Sequence, residues 1–312
     1  MIDPGLRIGV VGATGAVGRV TLEYLRERGY TNVRAFASHR SAGTTVDGVE
    51  VEEATPEVLG AGDLDVCFYS VGTRLSRELV PPAADAGAVC IDKSAAFRLM
   101  PGIPLVVPEV NGRRALEHEG VIANPNCCAI PLVMTLAPLH EAAGLRSVRV
   151  ATYQSVSGAG AGAVEYLRGE APDEHRLRMD WDFDGVEYDE EVKLREETRK
   201  ILELPDLPVS ASCVRVPVVV GHAEAVWVET ESPLTPEEAE RILGDASGLR
   251  VRDVPSHDAA IGADVALVGR IRRDHSTESG LVLFVVCDNL RKGAALNAIQ
   301  IADIAVGARV AS

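Results

Sequence analysis

The chain has 312 residues, more than one ordinary hydrophobic core accommodates, so its length favours two domains. Apolar residues make up 46% of it and aromatic residues only 4%, so the core must be built from Ala, Val, Leu and Ile. The formal net charge of −15 disfavours nucleic acids and anionic membranes as partners, because both reward a basic surface.

The cysteines suggest a reducing compartment. Four of the six lie in strand-like apolar runs such as LDVCFYSVG and LVLFVVCDN, and no spacing typical of a metal site occurs. We therefore expect reduced core cysteines and no bound metal. The N-terminal stretch MIDPGLRIGVVGATG lacks the apolar region of a signal peptide, and no stretch reaches membrane-spanning length. We expect a cytoplasmic protein.

A glycine-rich turn lies near the start of the chain. RIGVVGATGAVGRVTLEYL is a β-rich run, then Gly12, Gly15 and Gly18, then a helical pattern. Glycines allow a backbone turn to approach a pyrophosphate, and the N–H groups of the following helix point at that anion. The pattern predicts a dinucleotide site, although a tight strand–helix turn without a ligand would have the same appearance.

The second predicted strand, in NVRAFASHRSAGTTV, suggests which dinucleotide binds. An NAD site usually has an acidic residue at this strand end, for the ribose 2′-hydroxyl. Here Ser38, Arg40 and Ser41 stand there instead. A hydroxyl and a guanidinium suit a 2′-phosphate, which favours NADP over NAD. The alternative is a solvated turn that happens to contain an arginine.

Further strands are predicted near 64–72, 88–94 and 105–111, with helical stretches between them. Alternation of strands and helices is typical of a parallel, doubly wound sheet. We therefore expect an α/β chain with an N-terminal Rossmann-like domain. The later runs VRVATYQSV, SASCVRVPVVV and GLVLFVVCD favour an α+β second domain.

Two adjacent cysteines, Cys127 and Cys128, follow an Asn-Pro-Asn turn and precede a helical pattern, IPLVMTLAPL. A helix N-terminus stabilises a thiolate through its dipole and its free N–H groups. Adjacent helical residues point about 100° apart, so we expect at most one catalytic cysteine. A vicinal redox switch and two inert packing cysteines also fit this pattern.

A histidine is available as a base. His222 interrupts two apolar runs in VRVPVVVGHAEAVWVE, seven residues after Arg215, and this break predicts a position at a sheet end rather than in the core. A structural histidine is the alternative. Glu190 and Lys193 share one face of a predicted acidic helix, which would otherwise be a solvated one.

Taken together these segments resemble aspartate-β-semialdehyde dehydrogenases over nearly the whole chain. The resemblance rests on an ordered set of motifs. They are GATGAVG at 12–18, ASHRSAG at 37–43, AFR at 96–98, PLVVPEVN at 104–111, NPNC at 124–127, YQSVSGAG at 153–160, EEVK at 190–193, RVPVVVGH at 215–222 and DNLRKGAALNAIQIA at 288–302.

The resemblance implies NADP-dependent reductive dephosphorylation of L-aspartyl 4-phosphate to aspartate 4-semialdehyde and inorganic phosphate. Cys127 would attack the acyl carbon, His222 would be the acid/base partner, and Gln154 would orient the thioester. The implied substrate contacts are Arg215 for the α-carboxylate, Glu190 for the α-amino group, and Arg98, Asn126 and Lys193 for phosphate. The implied NADP contacts are Gly12, Thr14, Gly15, Ala16, Val17, Ser38, Arg40, Ser41, Ser157, Gly158 and Asn289.

The same resemblance implies a domain plan and an oligomer. An NADP-binding domain would cover residues 1–125, with a C-terminal helix at 289–312 packing back on it. A catalytic and dimerisation domain would cover residues 126–288, and its sheet would form a homodimer or homotetramer interface.

Two departures from the family pattern stand near the expected site. Lys93 occupies a position where an Asn is usual, and Cys128 occupies one where a hydroxyl residue is usual. They leave open a related substrate in a specialised pathway. An N-acetylglutamyl-phosphate reductase and a non-enzymatic NADP-binding thiol redox sensor are the competing hypotheses.

Overall fold

The computed structural model describes residues 5–169 and 181–310. The chain forms two compact units, one of Met1–Pro125 with Ala294–Ser312 and the other of Asn126–Gly293. Residues 170–180 of the expected catalytic domain and the last two residues of the expected C-terminal helix lie outside the described residues. Each unit is built around its own sheet.

The first unit contains a seven-stranded sheet in the order β3-β4-β2-β1-β5-β6-β7. Its strands and helices are β1 Ile8–Val11, α1 Ala16–Glu27, β2 Val33–Ala37, β3 Thr45–Val46, β4 Val49–Glu53, α2 Pro56–Leu59, β5 Val66–Tyr69, α3 Thr73–Asp85, β6 Val89–Asp92, α4 Pro108–Asn111, β7 Val121–Ala123 and the C-terminal helix Leu296–Val310.

The pairing is parallel except between the edge strand β3 and its neighbour β4. All residues of β1, β5 and β6 are buried, as expected for parallel strands covered by helices on both faces. The expectation of a Rossmann-like parallel sheet is therefore confirmed.

The strand predicted near 105–111 is wrong over most of its length. Leu105 forms an isolated bridge with Ala123, and the chain then turns into the short helix α4 at Pro108. A proline has no backbone N–H for a strand ladder but suits the first position of a helix, because its fixed φ is already helical.

The glycine turn between β1 and α1 is tightly packed. Gly12 has a φ of +81°, and a Cβ there would lie 2.4 Å from the Ser70 carbonyl oxygen. A Cβ on Gly18 would lie 2.2 Å from the Gly12 carbonyl oxygen. Glycine at both positions lets α1 begin directly against the strand ends, as in a dinucleotide-binding turn.

The C-terminal helix completes the core of the first unit. Leu296, Ile299 and Ile301 are buried in the same apolar cluster as Ile8 and Val10 of β1. The end of the chain thus belongs to the fold of the first 125 residues, because it buries apolar surface on their sheet.

The second unit contains a six-stranded mixed sheet in the order β11-β12-β13-β10-β8-β9. Its strands and helices are α5 Ala129–Ala143, β8 Leu145–Gln154, α6 Ala161–Leu167, α7 Asp189–Leu202, β9 Val209–Arg215, β10 His222–Thr230, α8 Pro236–Asp245, β11 Leu249–Arg252, α9 His257–Ala260, β12 Ala266–Arg273 and β13 Gly280–Cys287.

Helices α5, α7 and α8 pack together on one face of this sheet, with α5 over β8, β10 and β13. Ten of the 15 residues of α5 are buried, so this helix is apolar on nearly all sides and lies in the centre of the layer. The other face carries partly exposed apolar side chains, among them Tyr153 and Phe284. The expected α+β second domain is confirmed.

Within residues 5–169 and 181–310, no helix combines the length and apolar character needed to cross a membrane.

Candidate active site

The site residues of the second unit meet at one end of its sheet. The parallel strands β8 and β9 end at the paired residues Gln154 and Arg215, and the antiparallel strand β10 begins at His222. Antiparallel pairing thus brings the start of β10 beside the end of β8. His222 lies at this sheet end, as the sequence predicted. Its side chain is only 1% exposed, however, so the expected position outside the core is wrong.

Cys127 contacts His222 at this sheet end. The Cys127 Sγ atom lies 3.1 Å from the His222 Nε2 atom. Cys128 is the N-cap of α5, and its N–H donates to the Asn126 Oδ1 atom over 2.8 Å, so Asn126 caps the turn. The sulfur of Cys127 therefore lies at a helix N-terminus beside an imidazole, which are two features that stabilise a thiolate.

Cys128 is in a different environment although it is the next residue. Its side chain is completely buried, whereas that of Cys127 is partly exposed. Burial raises the pKa of the Cys128 thiol well above its usual value, and the neighbouring Cys127 raises it further. Cys128 is therefore a neutral core thiol, and Cys127 is the sulfur that a substrate can reach.

Glu190, in the first turn of α7, is a buried carboxylate with polar partners. Its Oε1 atom accepts from the Asn126 side-chain amide over 2.8 Å and from that of Gln154 over 3.2 Å. The Lys193 ammonium lies 3.6 Å from its Oε2 atom and 2.6 Å from Asp189. The structure thus brings together four residues that the sequence singled out, Glu190, Asn126, Gln154 and Lys193. The side-chain amide of Asn126 is already hydrogen-bonded, through Oδ1 to the turn before α5 and through Nδ2 to Glu190.

Arg215 is held over the same area. Its Nη1 atom donates to the Ser155 carbonyl oxygen over 2.9 Å, and its guanidinium stacks 4.8 Å from the centre of the Trp181 ring. A Cβ on Gly158 would lie 3.3 Å from both Arg215 Nη1 and His222 Nε2. Glycine at 158 therefore allows the loop after β8 to pack against both side chains.

Ser157 and Asn289, which the resemblance assigns to NADP, take part in a buried network inside the second unit. The Asn289 Oδ1 atom accepts from the Gly221 N–H over 2.8 Å and from the Ser155 hydroxyl over 3.0 Å. The Asn289 Nδ2 atom donates to the Ser157 hydroxyl oxygen over 2.9 Å. Contact of these side chains with a coenzyme stays a prediction.

The first unit has the features of an anion-binding turn. The first turn of α1, all of it described, has no acidic residue, and its N-cap Gly15 provides no side-chain cap. The Gly12 and Ala13 N–H groups donate to the Phe36 carbonyl oxygen, which ties the glycine turn to β2. Ser38 and Arg40 follow β2 and are exposed, so both are accessible to a ribose phosphate.

The remaining predicted contacts of the first unit lie at the same edge of the sheet or in the same turn. Arg98 is buried and donates from Nε to the Asn124 carbonyl oxygen over 3.0 Å and from Nη2 to that of Lys93 over 2.6 Å. Thr14, Ala16 and Val17 lie in or directly after the glycine turn, and Ser41 ends the short 3₁₀ turn after β2.

The ligand atoms of Cys127, Cys128 and His222 lie within 4.8 Å of one another, so they form a possible cation site. A metal-bound imidazole normally donates its second N–H to an acceptor. Here the His222 Nδ1 atom accepts the Ser155 N–H over 3.0 Å, and the Cys128 thiol that would complete the group is fully buried with a raised pKa, so it is not available as a thiolate ligand. This arrangement favours a thiol–imidazole pair over a metal centre.

Family models match most of the chain. Residues 7–118 match the model "Semialdehyde dehydrogenase, NAD binding domain", and residues 136–182 and 180–292 match "Semialdehyde dehydrogenase, dimerisation domain". The aspartate-semialdehyde dehydrogenase of Streptomyces akiyoshiensis is 44% identical, over 96% of this chain and 98% of its own. The chain belongs to the semialdehyde dehydrogenase family.

Solved structures of this family have the same fold. Aspartate semialdehyde dehydrogenase II from Vibrio cholerae, complexed with ASA, is 38% identical with a TM-score of 0.91, covering 97% of this chain and 98% of its own. The enzyme from Candida albicans with NADP is 25% identical with a TM-score of 0.76, covering 96% of this chain and 98% of its own. This chain is accordingly an oxidoreductase with a Rossmann-type NAD(P)-binding domain.

The structure of this family member also brings in acidic residues that the sequence analysis did not single out. The Glu197 carboxylate accepts the Asn126 N–H over 2.6 Å and so supports the turn before Cys127. Glu197 lies seven residues after Glu190 on α7, which is two helical turns and therefore the same face. This seven-residue spacing could have identified Glu197 from the sequence as a second acid on the site face of the helix.

Glu224 lies two residues after His222, on the same face of β10. It is 1% exposed, and neither of its carboxylate oxygens has a hydrogen-bond partner among the described residues. Burial raises the pKa of this carboxyl well above its usual value, with a further contribution from Cys127. Glu224 is therefore a neutral acid beneath the cysteine pair.

We predict that Glu224→Gln raises the melting temperature, and that its advantage over wild type grows between about pH 5 and about pH 8. Above the ordinary pKa of a glutamate, the unfolded chain releases a proton that the folded chain retains, so the stability of wild type falls as pH rises. Glutamine removes this loss. Melting temperatures across this pH range test the prediction.

The matched control is Glu229→Gln on the same strand, where the carboxylate pairs with Arg146 over 3.4 Å. This change should not raise the melting temperature. A Glu224→Gln advantage that is constant with pH would show that the native carboxyl is not neutral.

Proposed function

We propose that this chain catalyses the NADP-dependent reductive dephosphorylation of L-aspartyl 4-phosphate to L-aspartate 4-semialdehyde, through a thioester on Cys127. The observation that carries the proposal is the 3.1 Å contact between Cys127 Sγ and His222 Nε2 at the N-terminus of α5. Semialdehyde dehydrogenase relatives at about 40–44% identity support the substrate class.

The first step uses the thiolate of Cys127 as the nucleophile. Its sulfur forms a bond to the acyl carbon while the bond from that carbon to the phosphate oxygen breaks. The phosphate leaves with the bonding electron pair, and its oxygen takes a proton from the Nε2 atom of a protonated His222. The N–H groups at the start of α5 stabilise the negative charge that develops on the carbonyl oxygen.

When bound, NADPH supplies the hydride that reduces the thioester carbon. His222, which has by then regained a proton from solvent, donates a hydrogen bond from Nε2 to the oxyanion of the thiohemiacetal on Cys127. That intermediate collapses as its carbon–sulfur bond breaks and the electron pair returns to sulfur. The aldehyde leaves, and Cys127 is again a thiolate. The overall reaction consumes one hydride and one proton from solvent.

Arg215 and Glu190 suit the two ends of an amino acid. The Arg215 guanidinium, stacked on Trp181, offers a bidentate partner for an α-carboxylate. The Glu190 carboxylate is buried, with amide donors on one oxygen, and an α-ammonium group would supply a positive partner for it. Within the second unit, we assign phosphate binding to Lys193, and the phosphate roles of Arg98 and Asn126 stay predictions.

The same Glu190 environment argues against an N-acetylated substrate. An acylated nitrogen has no positive charge, so an N-acetylglutamyl phosphate would not form this ion pair and would leave Lys193, 3.6 Å away, as the cationic neighbour of the buried carboxylate. The redox-sensor hypothesis is also disfavoured, because the raised pKa of the Cys128 thiol keeps it neutral and slow to exchange.

We predict phosphate-dependent formation of NADPH from aspartate semialdehyde and NADP by the wild-type chain, measured by absorbance. Cys127→Ala should abolish this activity because it removes the nucleophile. The matched variant Cys128→Ala, at the adjacent buried thiol, should retain most of it. Equal activity with N-acetylglutamate semialdehyde would refute the assignment of Glu190.

We further propose that the glycine turn and the exposed residues after β2 hold NADP rather than NAD. Gly12 and Gly18, where a Cβ would collide with backbone oxygens, allow the tight turn, and the uncapped N-terminus of α1 suits a pyrophosphate. Ser38, Arg40 and Ser41 then suit the ribose 2′-phosphate. The NADP complex of the Candida albicans relative supports this choice.

We predict that Arg40→Asp lowers kcat/KM for NADP about 10- to 100-fold, because a charged hydrogen bond to phosphate is lost and a repulsive charge is added. The value for NAD should change little or rise. The control is His39→Asp, one residue away. In this proposal the His39 side chain contacts Glu53 and not the phosphate. A parallel loss with both coenzymes would rule out a role in the 2′-phosphate.

We also propose that two copies of this chain associate through the open face of the second sheet. Tyr153 is 37% exposed there, and Trp227, Phe284, Arg270 and Arg272 border the same shallow cavity of about 170 Å³. A surface of this kind is typical of a homodimer interface. The matched dimerisation-domain model supports it.

We predict that the wild-type chain sediments as a dimer or a larger assembly, and that Trp227→Glu shifts it towards monomer because a charge would be buried in the interface. Glu237→Lys, on the opposite, helix-covered side of the sheet, is a charge-changing control that should leave the sedimentation coefficient unchanged. A monomeric wild-type chain would refute the interface.

A further inference from the structure

The proton positions on His222 are restricted by its neighbours. The Nδ1 atom of its ring lies 3.0 Å from the Ser155 backbone nitrogen, which donates its N–H to it. The same Nδ1 atom lies 3.1 Å from the Ser155 Oγ atom. A backbone N–H can only donate, so it favours a ring without a proton on Nδ1.

A neutral ring in this position therefore carries its proton on Nε2, facing Cys127. Such a ring donates a hydrogen bond to the sulfur, but it cannot give that proton away without becoming an imidazolate. To release a proton from Nε2, the ring must first hold a second proton on Nδ1. That second proton needs an acceptor, and the Ser155 backbone N–H offers none.

The Ser155 hydroxyl oxygen is the acceptor within reach, provided that its own proton points elsewhere. The Asn289 Oδ1 atom lies 3.0 Å away and is an obligatory acceptor for that proton. Asn289 is held in this orientation because Oδ1 also accepts the Gly221 N–H and Nδ2 donates to Ser157. The hydroxyl can thus serve both forms of His222, as a donor to the neutral ring or as an acceptor from the charged one.

We propose that the Ser155 hydroxyl, oriented by Asn289, is a positioning group that lets His222 hold a second proton and so act as an acid as well as a hydrogen-bond donor. The inference deepens the function proposed above and rests on it for the role of the proton. It adds Ser155 to the machinery of this reaction as a residue that acts through His222.

Other titratable groups face His222 from the neighbouring elements. Cys127 lies at the start of α5, Cys287 of β13 is the strand partner of His222, and Glu224 follows on β10. His257 of α9 packs against Gly221, and burial together with His222 lowers its pKa. Arg215 lies beside the same loop. These groups stay unchanged in the variants below, so differences between the variants are caused by the presence or absence of the Ser155 hydroxyl.

The first test compares Ser155→Ala with Ser155→Thr. Alanine keeps the backbone N–H and removes the acceptor, so kcat should fall about 10- to 100-fold while KM changes by less than about 2-fold, as for loss of acid–base catalysis. Threonine restores a hydroxyl and should restore most of kcat. An unchanged kcat in Ser155→Ala, or no rescue by threonine in a chain with the wild-type melting temperature, overturns the proposal.

The second test needs neither substrate nor coenzyme. Nitrogen-15 NMR of the His222 ring should show both nitrogens protonated at low pH in wild type, and a proton confined to Nε2 in Ser155→Ala. Iodoacetamide should alkylate Cys127 more slowly in that variant, since the thiolate loses a cationic partner. Asn289→Ala should reproduce both effects if Ser155→Ala does not fold. Protonation of Nδ1 as in wild type contradicts the proposal.

The two proposals fail separately. If wild type shows no phosphate-dependent turnover of aspartate semialdehyde, the proposed substrate is refuted. If the expected NMR and alkylation differences are seen all the same, the role of Ser155 stands. If wild type turns over the substrate as proposed but the His222 ring spectra of wild type and Ser155→Ala are identical, the proposed function stands and the role of Ser155 is refuted.

Discussion

The contact between a sulfur and an imidazole at one end of the second sheet is the interaction on which the chemistry of this protein depends. It exists because three backbone elements end or begin together. Strand β10 starts at His222 beside the end of β8, and α5 starts after Cys127 above them. The apolar character of α5 on nearly all sides fixes the helix over this part of the sheet, so its N-terminus cannot move away without exposing buried surface.

Burial decides how neighbouring residues of the same type differ. Cys127 and Cys128 are covalently adjacent, yet one sulfur is partly exposed and the other is enclosed in the core with a raised pKa. The same holds for two acids near them. Glu190 has amide and ammonium partners, whereas Glu224 has no partner among the described residues and stays protonated. The low dielectric of the core penalises whichever charge lacks a partner.

Polar side chains below the reacting atoms determine what those atoms can do. Asn126 connects the turn before the nucleophile with Glu190, and Asn289 connects Ser155, Ser157 and Gly221. Both amides are almost fully buried, so each must satisfy its donors and acceptors within the protein. Such constraints hold a site rigid, and they also restrict which tautomer of His222 is compatible with its surroundings.

Much of the fold and part of the site could be predicted from the sequence, because they depend on local pattern. The glycine turn, the alternation of strands and helices, and the nucleophile at a helix start are properties of short segments, and so is the shared helical face of Glu190 and Lys193. The wrong strand at 105–111 shows the limit of such prediction. The apolar composition of this segment suggested a strand, whereas Pro108 begins a short helix.

Tertiary structure alone decided the rest. No local pattern shows that Ser155 faces the Nδ1 atom of His222, which is 67 residues away in the chain. Nor does one show that Asn289, 134 residues away, accepts the hydrogen bond of the Ser155 hydroxyl. The difference in burial between Cys127 and Cys128 likewise depends on tertiary packing, because the Cys128 side chain faces the core and the Cys127 side chain does not. Sequence determines which groups are available, but distance, burial and the direction of each hydrogen bond follow only when strands far apart in the chain pair and a helix packs across them.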